Sequence, residues 1–127
     1  MEDMVAKAEQ VIKDLQAQDK NGRIKLKTNQ IRKILAAINT LNNKVQIYKL
    51  KNKTKELNAD LANEIKYQKV MLVYQSGRQE DVKNFVLRAK LLERIDDIGT
   101  SIAKYENFVR YVEALVAYHK FYGGKDK

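Results

Sequence analysis

The sequence contains no cysteine, proline or tryptophan, and it has only five glycines and one histidine in 127 residues. Without cysteine there is neither a disulfide framework nor a thiolate metal site. Without proline, and with few glycines, long stretches of Leu, Ala, Lys, Glu, Ile and Gln form helices joined by short turns. No apolar run approaches the roughly 18 residues that a membrane span needs. These absences favour an all-α protein with one domain over residues 1–127 and no membrane contact.

The residues that catalysis would need are also scarce. The adjacent carboxylates at 80–81 and 96–97 point about 100° apart on a helix and do not chelate a metal together. Ser76 and Ser101 lie at predicted helix ends, where a serine usually caps. His119 falls on an apolar helix face, so we expect it to be packed and hydrogen-bonded. We therefore predict no enzymatic activity, no cofactor or metal, and no small-molecule substrate.

The spacing of apolar residues predicts a compact bundle of about five amphipathic helices. Their predicted ranges are 2–18, 28–52, 54–76, 80–98 and 100–121. Thr28 and Thr54 are the predicted N-caps of the second and third helices, and Gly77 and Gly99 are predicted stops. Glu80 and Asp81 suit the dipole at the start of the fourth helix.

Apolar stripes in these helices predict the core. The first helix contributes Val5, Ala8, Ile12 and Leu15, and the third contributes Leu57, Leu61, Ile65, Leu72 and either Val70 or Val73. Residues 23–27 read as an irregular linker. The acidic N-terminus, with Glu2 and Asp3, lacks the pattern of a secretory signal. We therefore expect a cytoplasmic protein.

The net charge of +9 is concentrated in one stretch. Residues 21–55 carry ten positive charges and no negative one, namely Arg23, Lys25, Lys27, Arg32, Lys33, Lys44, Lys49, Lys51, Lys53 and Lys55. A solvated helix usually mixes both signs, because oppositely charged residues four apart stabilise it slightly. A stretch without carboxylates favours a polyanionic partner that relieves its self-repulsion. Nucleic acid is the first candidate.

The charge is also compatible with a lysine-rich solubilising face that has no partner. Two further functions stay open at the level of the residues. One is a helical interaction module that binds an acidic protein. The other is a DNA-binding regulator, for which residues 28–32 at a helix start are faintly compatible. The sequence has no RNP, KH or zinc-finger motif, so contact with the nucleic-acid backbone is favoured over readout of the bases.

Three segments resemble a known family. They are KTNQIRKIL at residues 27–35, LVYQSGR at 72–78 and VEALVAYHKFYGGKD at 112–126. Together they resemble the small subunit of type III-A CRISPR effector complexes, the Csm complexes. The resemblance covers roughly Lys25 to the end of the chain, and residues 1–20 do not contribute to it.

This resemblance implies a partner and a mode of action. Several copies of the subunit would stack beside the backbone and large subunits, along a guide RNA paired with its target RNA. The chain would contribute basic side chains to the RNA backbone and leave cleavage to its neighbours. The charged positions in and near the resembling segments are then the predicted RNA contacts: Lys25, Lys27, Arg32, Lys33, Lys69, Arg78 and Lys120.

Overall fold

The computed structural model describes residues 3–123, and within them the chain forms six α-helices and no β-strand. They are α1 (Met4–Ala17), α2 (Thr28–Asn52), α3 (Ala59–Arg78), α4 (Glu80–Ala89), α5 (Leu91–Ile98) and α6 (Ile102–Phe121). The predicted all-α bundle is confirmed, with six described helices instead of about five.

The first two helices begin close to their predicted positions. Asp3 caps α1, since its Oδ1 accepts a hydrogen bond from the Ala6 amide at 3.0 Å; the predicted start at Glu2 lies outside the described residues. The bounds of α2 match the prediction, but Thr28 is not its cap. Lys27 takes that position, and its amide donates to Gln30 Oε1 at 2.8 Å. Thr28 is already helical because Gln30 stabilises the turn before it.

The third helix starts and ends later than predicted. Its cap is Asn58, not Thr54, because the backbone before it is used elsewhere: the Leu57 amide donates to Thr100 O at 2.8 Å, and the Ile102 amide donates to Lys55 O at 3.1 Å. Gly77 does not stop α3, which continues to Arg78 before the chain extends at Gln79.

The predicted fourth helix is divided into α4 and α5 at Lys90, whose φ is 56°. This left-handed residue turns the chain so that Ala89 and Leu91, on either side of it, are both buried. The carbonyl of Ala89 accepts a hydrogen bond from the Tyr111 hydroxyl at 2.9 Å. A buried tyrosine thus satisfies a backbone group at the break, and periodicity along the sequence does not reveal such a partner.

The core lies around α6, which packs against α1, α2 and α5. Most predicted stripe residues are buried, but Val5, Val70 and Val73 are at least half exposed, so their assignment to the core is wrong. Ile24 and Leu26, in the predicted linker, are 1% and 2% exposed and belong to the core instead. Gly99, at φ 56°, ends α5 as predicted, and Ser101 caps α6.

Candidate nucleic-acid interface

The basic stretch of the sequence is divided between the two ends of α2. The α2 start cluster consists of Arg23, Lys25, Lys27, Arg32 and Lys33, all exposed. The α2 end cluster consists of Lys51, Lys53 and Lys55, also exposed. Residues 34–43 between them contain no cation. Because α2 has 25 residues, its two ends are separated by about 37 Å at 1.5 Å per residue.

The first three cations of the start cluster are displayed by an alternating segment. Ile24 and Leu26 point into the core, so Arg23, Lys25 and Lys27 are exposed between and beside them. The segment is held by the ring of His119, whose Nε2 lies 2.6 Å from Leu26 O. This contact confirms that His119 is a packed, hydrogen-bonded residue.

Arg32 and Lys33 follow in the first turns of α2, and no carboxylate among residues 3–123 forms an ion pair with any member of the start cluster. Acidic residues nevertheless lie near two members of the cluster. Asp19 Oδ2 accepts a hydrogen bond from the Arg23 amide at 3.0 Å. Lys25 shares the lining of a cavity of about 210 Å³ with Glu80 and Asp81. The cluster is thus a group of exposed positive charges on a packed backbone.

Arg78 and Lys120 come to the same end of the molecule. α2 and α3 are antiparallel, because Lys44 pairs with Glu64 and Gln68 donates to the carbonyl of Ala37. The last turn of α3, with Arg78, therefore lies beside the first turns of α2. His119 links the end of α6 to residue 26, which brings its neighbour Lys120 to this end too. The Arg78 guanidinium lies 5.7 Å from the ring centre of Tyr74.

Lys69 lies apart from the other predicted contacts. It is nine residues from Arg78, which at about 100° per residue turns it to the opposite side of the helix. Its Nζ is 2.8 Å from both carboxylate oxygens of Asp96. The structure therefore places Lys69 in an ion pair between α3 and α5.

Two cations of α2 between the clusters are also paired. Lys44 Nζ lies 2.9 Å from Glu64 Oε1, and Lys49 Nζ lies 3.0 Å from Glu106 Oε2. Gln46 donates a hydrogen bond to the same Glu106 oxygen at 2.9 Å. This hydrogen bond, together with the Lys49 ammonium, holds the pKa of Glu106 below its usual value. These contacts attach α2 to α3 and to α6.

An exposed apolar face on α3 was not predicted. Tyr67, Val70, Met71, Val73 and Tyr74 are all 45% to 62% exposed. The helical spacing that predicted Val70 or Val73 in the core is that of an amphipathic helix, and α3 has apolar residues on more than one side. Only the packing of α3 against α2, α4 and α5 distinguishes the buried side from this face.

Of the two serines expected at helix ends, only Ser101 is a cap. Ser76 lies inside α3, and its buried hydroxyl has no hydrogen-bond partner among residues 3–123. The Ser101 hydroxyl caps α6 by accepting from the Lys104 amide at 3.1 Å, and Lys104 Nζ lies 3.8 Å from Asp97. In the described part of the chain, no three His, Cys, Asp or Glu side chains are grouped so as to hold a metal ion. Within the same residues, no helix combines the length and the hydropathy that membrane crossing requires.

Residues 1–125 match the family model described as Csm2 Type III-A. The chain belongs to this family. A Streptococcus thermophilus relative named CRISPR system Cms protein Csm2 is 40% identical over 126 residues, which are 98% of this chain and 95% of the relative. Proteins of the same name from Mycobacterium tuberculosis H37Rv and Enterococcus italicus are 39% and 34% identical, over 100% and 76% of this chain and 98% and 68% of their own lengths.

Membership in the Csm2 family confirms the resemblance to the small subunit of type III-A CRISPR complexes. The match also extends over α1, which the resembling segments did not include. Those segments, 27–35, 72–78 and the described part of 112–126, meet at one end of this Csm2-family chain. They form the start of α2, the end of α3 and the end of α6, where the start cluster, Arg78 and Lys120 lie. Residues 124–126 are outside the described residues.

Proposed function

We propose that this chain is a non-catalytic, RNA-binding small subunit of a type III-A CRISPR ribonucleoprotein. In this proposal it contacts the backbone of a guide RNA–target RNA duplex and does not read its sequence. The observation that carries the proposal is the α2 start cluster, with five exposed cations and no ion-pairing carboxylate among residues 3–123. Such a surface on a protein of net charge +9 favours a polyanion.

The position of the cluster at a helix start strengthens the attraction for phosphate. The first turn of α2 contains no acidic residue, so no carboxylate in that turn offsets the positive end of the helix dipole, which favours an anion. Each lysine or arginine that neutralises a phosphate releases condensed counterions, and this release supplies sequence-independent affinity. The buried residues Ile24 and Leu26 hold the segment in place, which limits the entropy lost on binding.

The proposed contacts are not equal. Lys25, Lys27, Arg32, Lys33, Arg78 and Lys120 form the main surface. Lys69 contributes less, because it lies on the opposite side of α3 from Arg78, where it pairs with Asp96 of α5 at 2.8 Å. Arginine and lysine at these positions bind phosphate by charge. Specificity then comes from base pairing between guide and target, as it does in other guide-directed complexes.

The non-catalytic part of the proposal is supported by the roles of the reactive residues. His119 is 1% exposed and engaged with the backbone of Leu26. Ser101 caps a helix, and Asp96 and Asp97 lie against lysines. Each of these groups has a structural partner.

We propose that several copies stack along the duplex beside the other Csm subunits, in the cytoplasm.

Alanine substitution combined with a salt series tests the proposal. Lys27→Ala, Arg32→Ala and Arg78→Ala are each titrated with a labelled guide–target RNA duplex by fluorescence anisotropy at several salt concentrations. Each variant is expected to lower the slope of log K against log salt by about one unit, because one phosphate contact is lost. Lys69→Ala is expected to change the slope by less than half of that.

The same assay separates the competing functions. Unchanged slopes in all three variants would contradict RNA-backbone binding. A strong preference for one duplex DNA sequence would favour a DNA-binding regulator. Salt-insensitive RNA binding, together with tight binding of an acidic protein, would favour an interaction module. The exposed Glu113→Ala on α6 serves as the folding and handling control, and its slope is expected to match the unaltered protein.

A further inference from the structure

Lys33 and Lys51 lie on the same side of α2, although they are far apart in the sequence. They are separated by 18 residues, which at about 3.6 residues per turn is five full turns. The rise of about 1.5 Å per residue places them about 27 Å apart along the helix. Lys44 follows Lys33 by about three turns and faces α3 through Glu64. Lysines therefore follow one straight line along the α3 side of α2.

The α2 end cluster has exposed cations without acidic partners. No carboxylate among residues 3–123 is ion-paired with Lys51, Lys53 or Lys55. Glu106, which lies toward this end on α6, is engaged by Lys49 and Gln46. Three positive charges within five residues thus repel one another, and no described carboxylate relieves the repulsion.

The helix dipole accounts for only part of this cluster. Cations in the last turn of a helix are favourable, which explains Lys49 and Lys51. Lys53 and Lys55 lie beyond the end of α2. Lys53 also has a φ of 47°, in the left-handed region that glycine adopts at the least cost. A lysine at this position keeps a charge where local backbone preference favours glycine.

The backbone that carries the end cluster is held in place. Lys55 O accepts from the Ile102 amide, and the Leu57 amide donates to Thr100 O. Leu57 is 6% exposed, so its side chain anchors the segment in the core. The lysines therefore start from a fixed backbone, as do those of the start cluster, and little backbone order is lost when they bind a ligand.

We infer that the α2 end cluster is a second phosphate-binding surface. An RNA duplex that lies along the α3 side of α2 contacts the α2 end cluster and the α2 start cluster together. This inference rests on the proposed function. The ligand class is the sugar–phosphate backbone of RNA. Between the clusters, the Lys44–Glu64 pair is exposed on both sides, at 57% and 44%. Such pairs are weak in water, so Lys44 is able to turn to a phosphate.

The test compares two triple variants with a charge-matched control. One triple is Lys51→Ala, Lys53→Ala and Lys55→Ala, and the other is Lys27→Ala, Arg32→Ala and Lys33→Ala. The control triple, Lys13→Ala, Lys66→Ala and Arg110→Ala, removes the same charge from exposed positions on α1, α3 and α6. The end-cluster triple is expected to lower the salt slope for duplex RNA by about one to three units, and the control by less than one.

Duplex length provides a second, independent measurement. A span of about 27 Å corresponds to about ten base pairs of an A-form RNA duplex, whose rise per pair is smaller than the 3.4 Å of B-form DNA. The unaltered protein is expected to gain affinity as duplexes lengthen past about ten pairs, because both clusters are then engaged. The end-cluster triple is expected to lose this gain, whereas the start-cluster triple weakens binding at every length.

The outcomes distinguish this inference from the proposed function. The end-cluster triple could change the salt slope no more than the control triple does, while the start-cluster triple lowers it clearly. In that case the second surface does not exist and the proposed function stands. If neither triple changes the slope, the proposed function fails as well. Replacing Lys51, Lys53 and Lys55 with arginine keeps the charge. This variant is expected to preserve both the salt slope and the gain of affinity with duplex length. Thermal melts of all variants establish that they are folded.

Discussion

The two ends of α2 are both basic, but they are built in different ways. At the start, cations alternate with the buried Ile24 and Leu26, and a side chain, His119, holds the segment. At the end, Lys53 in a left-handed conformation turns the chain, and backbone hydrogen bonds to residues 100–102 hold it. Between the two ends, Lys44 and Lys49 are paired with carboxylates.

The difference between the ends and the middle of α2 shows how one continuous basic segment of the sequence becomes two separate basic surfaces. In the sequence, residues 21–55 are one stretch of +10. In the fold, the two cations that face a neighbouring helix, Lys44 and Lys49, pair with carboxylates. Those at the two ends of α2 form no ion pair with a carboxylate among residues 3–123. Charge density along the chain therefore overstates the size of either surface.

The largest effect is expected where one buried leucine supports each end. Leu26→Ala and Leu57→Ala should each reduce the free energy of unfolding by about 2–5 kcal/mol, because each leaves a cavity beneath its segment. Urea denaturation measures both. Leu50→Ala, at a residue 77% exposed, is the control and should change stability by less than about 0.5 kcal/mol. A cost for Leu26→Ala as small as that of Leu50→Ala would show that the start segment is not anchored.

A smaller and pH-dependent effect is expected between the two clusters. The pKa of Glu106 is lowered in the folded protein, first by the Gln46 hydrogen bond and then by Lys49. Its stabilisation is therefore fully present above the unfolded value of 4.5 and is lost as the pH falls through the lower folded value. Glu106→Gln should cost on the order of 1 kcal/mol at neutral pH.

Denaturation of Glu106→Gln and of the unaltered protein over a pH series measures this difference. The two stabilities should converge at acidic pH, because protonated Glu106 no longer attracts Lys49. Glu113→Gln, at an exposed position on the same helix, should show no such convergence. A Glu106→Gln cost that stays constant with pH would mean that the carboxylate charge does not contribute.

The smallest effect is expected from the backbone of the end cluster. Lys53→Gly should increase the free energy of unfolding by about 0.5–1 kcal/mol, since glycine adopts the left-handed conformation without the steric cost of a Cβ. Lys51→Gly, inside the last turn of α2, should decrease it by about 0.5–1 kcal/mol. Thermal or urea unfolding measures both. The same sign for both substitutions would contradict the backbone assignment at residue 53.

Local spacing was sufficient for most of the fold, but not for every helix end. The bounds of α2 and the stop at Gly99 follow from neighbouring residues, and the sequence predicted them. For the cap of α6 the sequence offered Thr100 or Ser101, and the structure has Ser101. The later start of α3 and the break at Lys90 depend on partners far along the chain: Thr100 and Ile102 for one, and Tyr111 for the other. The spacing of apolar residues along the sequence does not reveal such contacts.

The candidate site shows the same division. The charged residues of the three family-like segments were identified from the sequence, and six of the seven predicted contacts come to one end of the bundle. Lys69 was grouped with Arg78 because the two are near in sequence, yet it faces α5 and pairs with Asp96. The buried Ile24 and Leu26 had an alternating signal that was available in the sequence, but five residues are too few to distinguish it from a linker.

By itself, the sequence determined the all-α class, the excess of positive charge and the family. These depend on composition, on spacing along single helices and on short strings of residues. Only the tertiary structure decided which cations of residues 21–55 pair with carboxylates, that the others form two clusters, and which side of α3 is buried. The reason is physical: a charge is neutralised, or an apolar face covered, by residues brought close in space, and their distance in the sequence does not set that proximity.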